Sequence, residues 1–282
     1  MASHRSRTPQ SIDAQPAALD RRTLLLSAGA AVLLAACGGN DAASTPTTAA
    51  SAAGGTASAA DETGARAGAG STTTAPAGTG LTAADFDGLG TCRLLPEKTA
   101  GPFPLEEQLV RRDVTEGAAG RPMRLGLRVL DADCAPVPGA AVEIWHCDAT
   151  GDYSAFRDNG GGKDEGPGTT FLRGTQIADA AGIVEFASIV PGWYPGRAVH
   201  VHLRVHVDDE IVRTSQLFFD PDHLAAVYAA EPYAEFGMPD TSNAADSIAG
   251  DPAAEGTLLH ITDVTAATGP ATLALANLGI TV

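Results

Sequence analysis

Hydrophobic and polar positions alternate along the chain from just after Pro122, with Met123, Leu125, Leu127 and Val129 on one side and Arg124, Gly126 and Arg128 on the other. That period of two is the pattern of a half-buried strand. Comparable stretches run over Ala141 to Cys147, Phe171 to Ala178, Ile183 to Ile189, Val199 to Val207, Ile211 to Phe219, Leu258 to Val264 and Ala271 to Val282. Turns rich in Gly, Pro and Asp separate them, among them Val137-Pro-Gly, Asp158-Asn-Gly-Gly-Gly162 and Val190-Pro-Gly192. Many short strands at this spacing predict an all-β fold, an antiparallel β-sandwich with long loops and little helix. One segment, Pro221 to Ala230, carries a helix start, with Asp220 as its cap and Pro221 in the first turn. Within the run Val199 to Val207 the valines and Leu203 share one face, while His200, His202, Arg204 and His206 share the other. An apolar face serves the core and leaves the opposite face free for chemistry.

The first eighty residues lack this alternation. Residues 1–37 pass from a basic start through Arg21-Arg22 into an apolar run ending Leu34-Ala-Ala-Cys37. A run shorter than the roughly 20 apolar residues needed to cross hydrocarbon reads as an export signal. The arginine pair resembles a twin-arginine signal, and the ending resembles a lipoprotein box with Cys37 as the lipidated residue. Residues 38–82 are almost entirely Ala, Thr, Ser and Gly. They lack the large apolar groups that would offset the entropy of ordering them, so a disordered tether is expected. The folded domain is then 83–282, enough chain for one sizeable core, in an exported, extracytoplasmic protein held to the membrane only through its lipid.

The net charge is -16. Because the signal holds four arginines against two aspartates, the remainder is more acidic still, which argues against nucleic acid as a partner. After Cys37 the thiols are Cys92, Cys134 and Cys147. Cys92 and Cys134 lie in Gly/Pro-bounded surface segments and are expected to pair, whereas Cys147 sits in an apolar strand as a buried small hydrophobe. No spacing among them looks like a zinc site.

Candidate chemistry centres on Tyr153, Tyr194, His200 and His202. His200 and His202 project from one strand face ~6.6 Å apart, close enough to converge on one metal. Each tyrosine follows a turn, Asp148-Ala-Thr-Gly-Asp152 and Pro191-Gly-Trp193 respectively. A ferric ion is hard and favours anionic oxygen, so two tyrosinates and two imidazoles suit Fe(III). By itself an H-x-H on a strand is more often a polar sheet face, and a tyrosine more often structural.

Six segments in order change that balance: Pro96-Glu-Lys-Thr-Ala-Gly-Pro-Phe103, Val142-Glu-Ile-Trp-His-Cys-Asp-Ala-Thr-Gly-Asp-Tyr-Ser154, Phe171-Leu-Arg-Gly-Thr-Gln176, Val190-Pro-Gly-Trp-Tyr194, Arg197-Ala-Val-His-Val-His202 and Thr214-Ser-Gln-Leu-Phe-Phe-Asp220. Together they resemble the intradiol ring-cleaving dioxygenases. The resemblance implies one non-haem Fe(III), with Tyr153 and His200 as equatorial ligands and Tyr194 and His202 axial. A catechol would displace Tyr194, whose oxygen then accepts a substrate proton. O2 would attack the ring, and cleavage between the two hydroxylated carbons would give a cis,cis-muconate-type product. Arg197 would stabilise carbanion character with Gln216 as its neighbour, while Gly101 and Pro102 would form part of the pocket wall. His206 is expected not to ligate, His146 to be a hydrogen-bonded core histidine, and His223 and His260 to lie at the surface. Two departures stand out: Ala198 where many relatives have proline, and only Pro195-Gly196 where many have a long insertion. The helical dimerisation segment that opens catechol 1,2-dioxygenases has no counterpart here, which leaves a homo-oligomer open. The alternative is a non-catalytic iron- or catecholate-binding β-sandwich lipoprotein, which would have no need of Arg197 and Gln216.

Overall fold

The computed structural model of the chain describes residues 80–90, 93–106, 109–157, 161–162 and 165–282. The expected export signal, Cys37 and all but the last residues of the expected tether lie outside the described residues, as does Cys92.

The predicted strands form, at nearly the predicted places. They are β1 (Pro122–Leu130), β2 (Ala141–Trp145), β3 (Arg173–Ile177), β4 (Ile183–Ile189), β5 (His200–Val207), β6 (Glu210–Phe218), β7 (His260–Ala266) and β8 (Gly269–Gly279). Among the described residues they make two four-stranded sheets, ordered β4-β1-β8-β7 and β3-β2-β5-β6. One pairing departs from the antiparallel expectation: β1 and β8 run parallel, with Met123 beside Thr272 and Leu130 beside Gly279. Alternation fixes which face a residue occupies but not the direction of its neighbour, so this pairing could not be read from the pattern. Helix α1 (Pro221–Tyr228) starts as expected, the Asp220 carboxylate accepting from the amides of Asp222 and His223, which would otherwise lack partners.

The inner faces of the sheets meet in one core. Met123, Leu125, Leu127 and Val129 from β1 pack with Val142 and Ile144 from β2, Phe186 from β4 and Val201, Leu203 and Val205 from β5, and the residues of this set from β1, β2 and β5 are fully buried. Each such side chain is worth about 1.5–3 kcal/mol of burial. The outer face of β1 is covered too. Gly126 lies under Leu81 and Phe86, and Phe86 forms a second apolar cluster with Ile183 and Leu275.

Cys134 is disulfide-bonded, and Cys147 keeps a free, buried thiol, whose proton burial holds on well above the ordinary range. No described helix is long and apolar enough to cross a membrane.

Candidate metal centre

The outer face of the second sheet is organised in rows. Arg173, Trp145, His202 and Gln216 are cross-strand neighbours, then Thr175, Glu143, Arg204 and Thr214, then Ile177, Ala141, His206 and Ile211. Around the histidine pair this face is not open to solvent, His200, His202, Gln216 and Thr175 all being buried, whereas Ile177 and Ile211 at its far end are exposed. Alternation had correctly separated the two faces, but it carries no information about what covers the polar one.

Two of the covering loops bring the tyrosines. Tyr153 and Tyr194 follow turns that interlock: the Gly192 amide donates to the Asp148 carbonyl at 2.9 Å, and Gly151, at φ +93°, leaves no room for a Cβ, which would sit 2.2 Å from the Trp193 carbonyl oxygen. A residue with a side chain there would push the two loops apart. Tyr153 is then fixed from behind. Its ring stacks on Phe103, centroids 4.6 Å apart, and the buried Arg173 ties the adjoining backbone together, donating to Ser154 Oγ at 2.7 Å, the Ser154 carbonyl at 2.9 Å and the Phe103 carbonyl at 2.6 Å. Burial without a hydrogen-bonded carboxylate lowers the Arg173 pKa to about 10. Arg173 lies within a recognisable segment, yet nothing in the sequence marked it as this clamp.

The four expected ligands converge. Tyr153 Oη lies 3.5 Å from Tyr194 Oη and 3.4 Å from His200 Nε2; Tyr194 Oη lies 3.2 Å from His200 Nε2; His200 Nε2 lies 3.0 Å from His202 Nε2. His200 Nδ1 is 2.6 Å from the Ala198 carbonyl, so its proton sits on Nδ1 and the Nε2 lone pair faces the cluster. His202 is held against Trp145, rings parallel with centroids 5.0 Å apart. Among the described residues its buried Nδ1 has no hydrogen-bond partner.

Burial gives all four a neutral character. It raises Tyr194 to about 12 and Tyr153 well above the usual phenol range, with the neighbouring phenol adding to the effect on Tyr153. It lowers His200 to about 3, and His202 well below its ordinary value, with His200 and Arg197 adding to the effect on His202. Two imidazole nitrogens 3.0 Å apart need a proton or a cation between them. Bonds of about 2.1 Å from one ion place adjacent donor atoms roughly 3 Å apart, the spacing found. Among the described residues no three His, Cys, Asp or Glu side chains gather as a metal site, so a metal held by the two histidines depends on the tyrosines. The donor set therefore fits one hard, highly charged cation, whose charge offsets two phenolates in a buried place.

Tyr194 differs from Tyr153 in support. It is partly exposed, whereas Tyr153 is fully buried, so of the two tyrosines it is the one with room to move. Arg197 donates from Nη2 to Gln216 Oε1 at 2.5 Å and from Nε to Asp246 Oδ2 at 2.9 Å. Gln216 is buried beside His202 and donates to the Thr99 carbonyl at 2.8 Å. Asp246 was not legible in the sequence, being one acidic residue in an irregular stretch. Burial pushes its carboxyl up, but the Ile248 and Ala198 amides and the Arg197 guanidinium outweigh that and hold it below the usual range. Gly101, at φ +68°, backs onto His202, where a Cβ would lie 3.1 Å from its Cε1. Pro102 beside it is exposed.

The other histidines separate from the cluster. His146 is buried, its Nδ1 donating to the Cys147 carbonyl and its Nε2 accepting from Ser188 Oγ, both at 2.8 Å; burial lowers its pKa to about 4. His260 is exposed. His223 is half-buried rather than exposed, its backbone near the surface and its side chain turned in, 3.4 Å from Asp263. His206 lies two rows from His202, past a bulge at Val205/His206, with Nε2 3.7 Å from Glu143. If the quartet holds iron, His206→Ala should leave the iron content and visible spectrum unchanged; loss of iron in that variant would show that the ligand face is misassigned.

Comparison with known proteins places these features. A family model described as Dioxygenase matches residues 98–235. The chain is similar to a catechol 1,2-dioxygenase of Pseudomonas sp. (strain EST1001), 36% identical over 104 residues, covering 35% of this chain and 32% of that protein. It is similar to a chlorocatechol 1,2-dioxygenase of Rhodococcus opacus, 28% identical over 122 residues, 36% of this chain and 45% of that one. The chain thus spans less than half the length of these two relatives. A solved intradiol ring-cleavage dioxygenase from Tetranychus urticae superposes with a TM-score of 0.61 at 30% identity, over 67% of this chain and 95% of that one.

Proposed function

Because the chain belongs to the intradiol ring-cleavage dioxygenase family, we propose that it is an oxidoreductase that opens a catechol ring between its two hydroxylated carbons. Both atoms of O2 enter the product, a cis,cis-muconate-type dicarboxylate. The observation that carries this reading is the convergence of Tyr153, Tyr194, His200 and His202 with a fixed guanidinium, Arg197, beside them. Tyr153, Tyr194, His200 and His202 would hold one ferric ion. The chemistry that ion supplies when bound is withdrawal of electron density from a chelated catecholate, which opens a ring carbon to O2.

The protein's own part is positioning and proton handling. Phe103 and Arg173 keep Tyr153 in place, and Trp145 keeps the His202 ring in place. The partly exposed Tyr194 swings away to admit substrate, and its Oη accepts a proton from the catechol. Arg197 faces the negative charge that develops on the substrate, with Gln216 holding one of its nitrogens. A cation fixed before reaction costs no reorganisation when the charge appears.

The activity reading is tested by oxygen uptake with catechol, protocatechuate and hydroxyquinol, followed by ultraviolet spectra of the products. One O2 consumed per catechol with a ring-opened diacid is expected. Tight binding of the catechols without oxygen uptake would instead identify a non-catalytic catecholate-binding protein. The sequence of residues 1–37 supports a twin-arginine exported lipoprotein anchored at Cys37, with residues 38–82 as tether. Cys37→Ser should move the protein from membrane to soluble fractions; no change would remove the anchor from the account.

A further inference from the structure

From the last residue of helix α1 onward, the chain is tied contact by contact to the loop that carries Tyr194 and Arg197. Tyr228 Oη donates to the Pro191 carbonyl at 2.9 Å and Tyr233 Oη to the Val190 carbonyl at 2.6 Å. Trp193 Nε1 donates to the Gly237 carbonyl at 3.0 Å, and the Gly196 amide to Asp240 Oδ1 at 3.2 Å. The series ends at Asp246, whose Oδ2 accepts from the Ala198 amide at 2.7 Å and from Arg197 Nε. Its Oδ1 accepts from the amides of Ile248 and Ala249 at 2.7 and 3.2 Å. Four donors surround a group that only accepts when ionised, so each site is satisfied as a carboxylate.

Asp246 is in turn held from behind. Lys98 is buried, and its Nζ donates to the Ile248 and Ala249 carbonyls, both at 3.0 Å, and to Glu255 Oε2 at 2.7 Å. Ala249 packs with Ala198 and Phe218. The next residue after Lys98, Thr99, supplies the carbonyl that takes Gln216 Nε2, so a closed circuit runs from Lys98 through residues 246–249 to Arg197, Gln216 and Thr99. The Ala198 amide is part of it, and a proline at that position would have no N–H to give. Asp246 also lies beyond residue 235, where the match to the family model ends.

We propose that Asp246, latched by Lys98 and Glu255, is a positioning residue that sets the direction of the Arg197 guanidinium. This rests on the role given to Arg197 under the proposed function. The 237–249 stretch supports the loop on both sides of the short Pro195-Gly196 connection, through Gly237, Asp240 and Asp246. Among the described residues Asp246 makes no hydrogen bond to the donor atoms of Tyr153, Tyr194, His200 or His202; it acts through Arg197.

The test uses iron-loaded full chain in four forms: wild type, Asp246→Ala, Arg197→Ala and the double variant. Iron content and the visible band should be the same in all four. Asp246→Ala should lower kcat on catechol roughly 10- to 100-fold, the scale of a misplaced catalytic group, with KM little changed. In the Arg197→Ala background the same change should cost less than about twofold, since coupled residues are not additive. Equal losses in both backgrounds would overturn the proposal. Should Asp246→Ala fail to fold, Lys98→Met takes its place, with a smaller loss confined to kcat expected and loss of iron or a raised KM counting against. If wild type turns over no catechol, the functional reading fails separately, and thermal unfolding of the same four proteins decides: the Tm shift of Asp246→Ala should at least halve when Arg197 is absent, and an undiminished shift would refute the link.

Discussion

His202→Ala is expected to give a folded protein that no longer retains iron or turns over catechol, the largest effect of any single substitution considered. Two of the four donor atoms are imidazole nitrogens 3.0 Å apart, and neither tyrosine is an adequate ligand by itself while burial keeps its proton on. Removing one imidazole leaves a buried site with too few donors to offset the desolvation of a trivalent ion. The loss should exceed the roughly 100-fold that removal of a mere outer partner of a metal ligand can cost. Metal analysis after dialysis, with thermal unfolding to establish the fold, checks it. Trp145 loses its stacking partner in this variant, so some destabilisation accompanies the metal loss. Retained stoichiometric iron would show that His202 is not a ligand.

Arg197→Ala should behave in the opposite way, keeping iron while losing turnover. The guanidinium is held by Gln216 and Asp246, and the hydrogen bonds around the ligand nitrogens do not include it. Its contribution is charge fixed in a largely dry place, where one preorganised donor is worth about 10²–10³ in kcat. Lysine at this position would carry the charge but not the fork that reaches both partners, so Arg197→Lys should recover only part of the loss. Steady-state oxygen uptake against iron content separates the two contributions; unchanged kcat per iron in Arg197→Ala would remove it from the mechanism.

What could be read from the residues and what could not follows a physical line. Strand positions were legible because burial of one face imposes a period of two, as β1 and β5 show, and the start of α1 was legible because Asp220 and Pro221 are specific to a first turn. The convergent quartet could be picked out only because Tyr153, Tyr194, His200 and His202 each stand in a distinctive segment. Their convergence depends on long-range packing, such as Gly151 against Trp193, that no local pattern encodes. Three features stayed hidden for the same reason. The parallel β1–β8 pairing joins strands more than a hundred residues apart, the cover over the polar face comes from loops, and Asp246 and Arg173 are single charges whose partners are mostly backbone atoms. His223 was misplaced because a histidine in the first turn of a helix looks exposed until Asp263 and Thr272 are brought beside it.

The claim beneath all of this is that two phenolates and two imidazoles share one ferric ion. Titration of the metal-free protein with Fe(III), followed in the visible spectrum, tests it most directly. Saturation at a single iron per chain with a red-brown phenolate-to-iron band is the expected result; stoichiometric ferric iron in a colourless protein would contradict it.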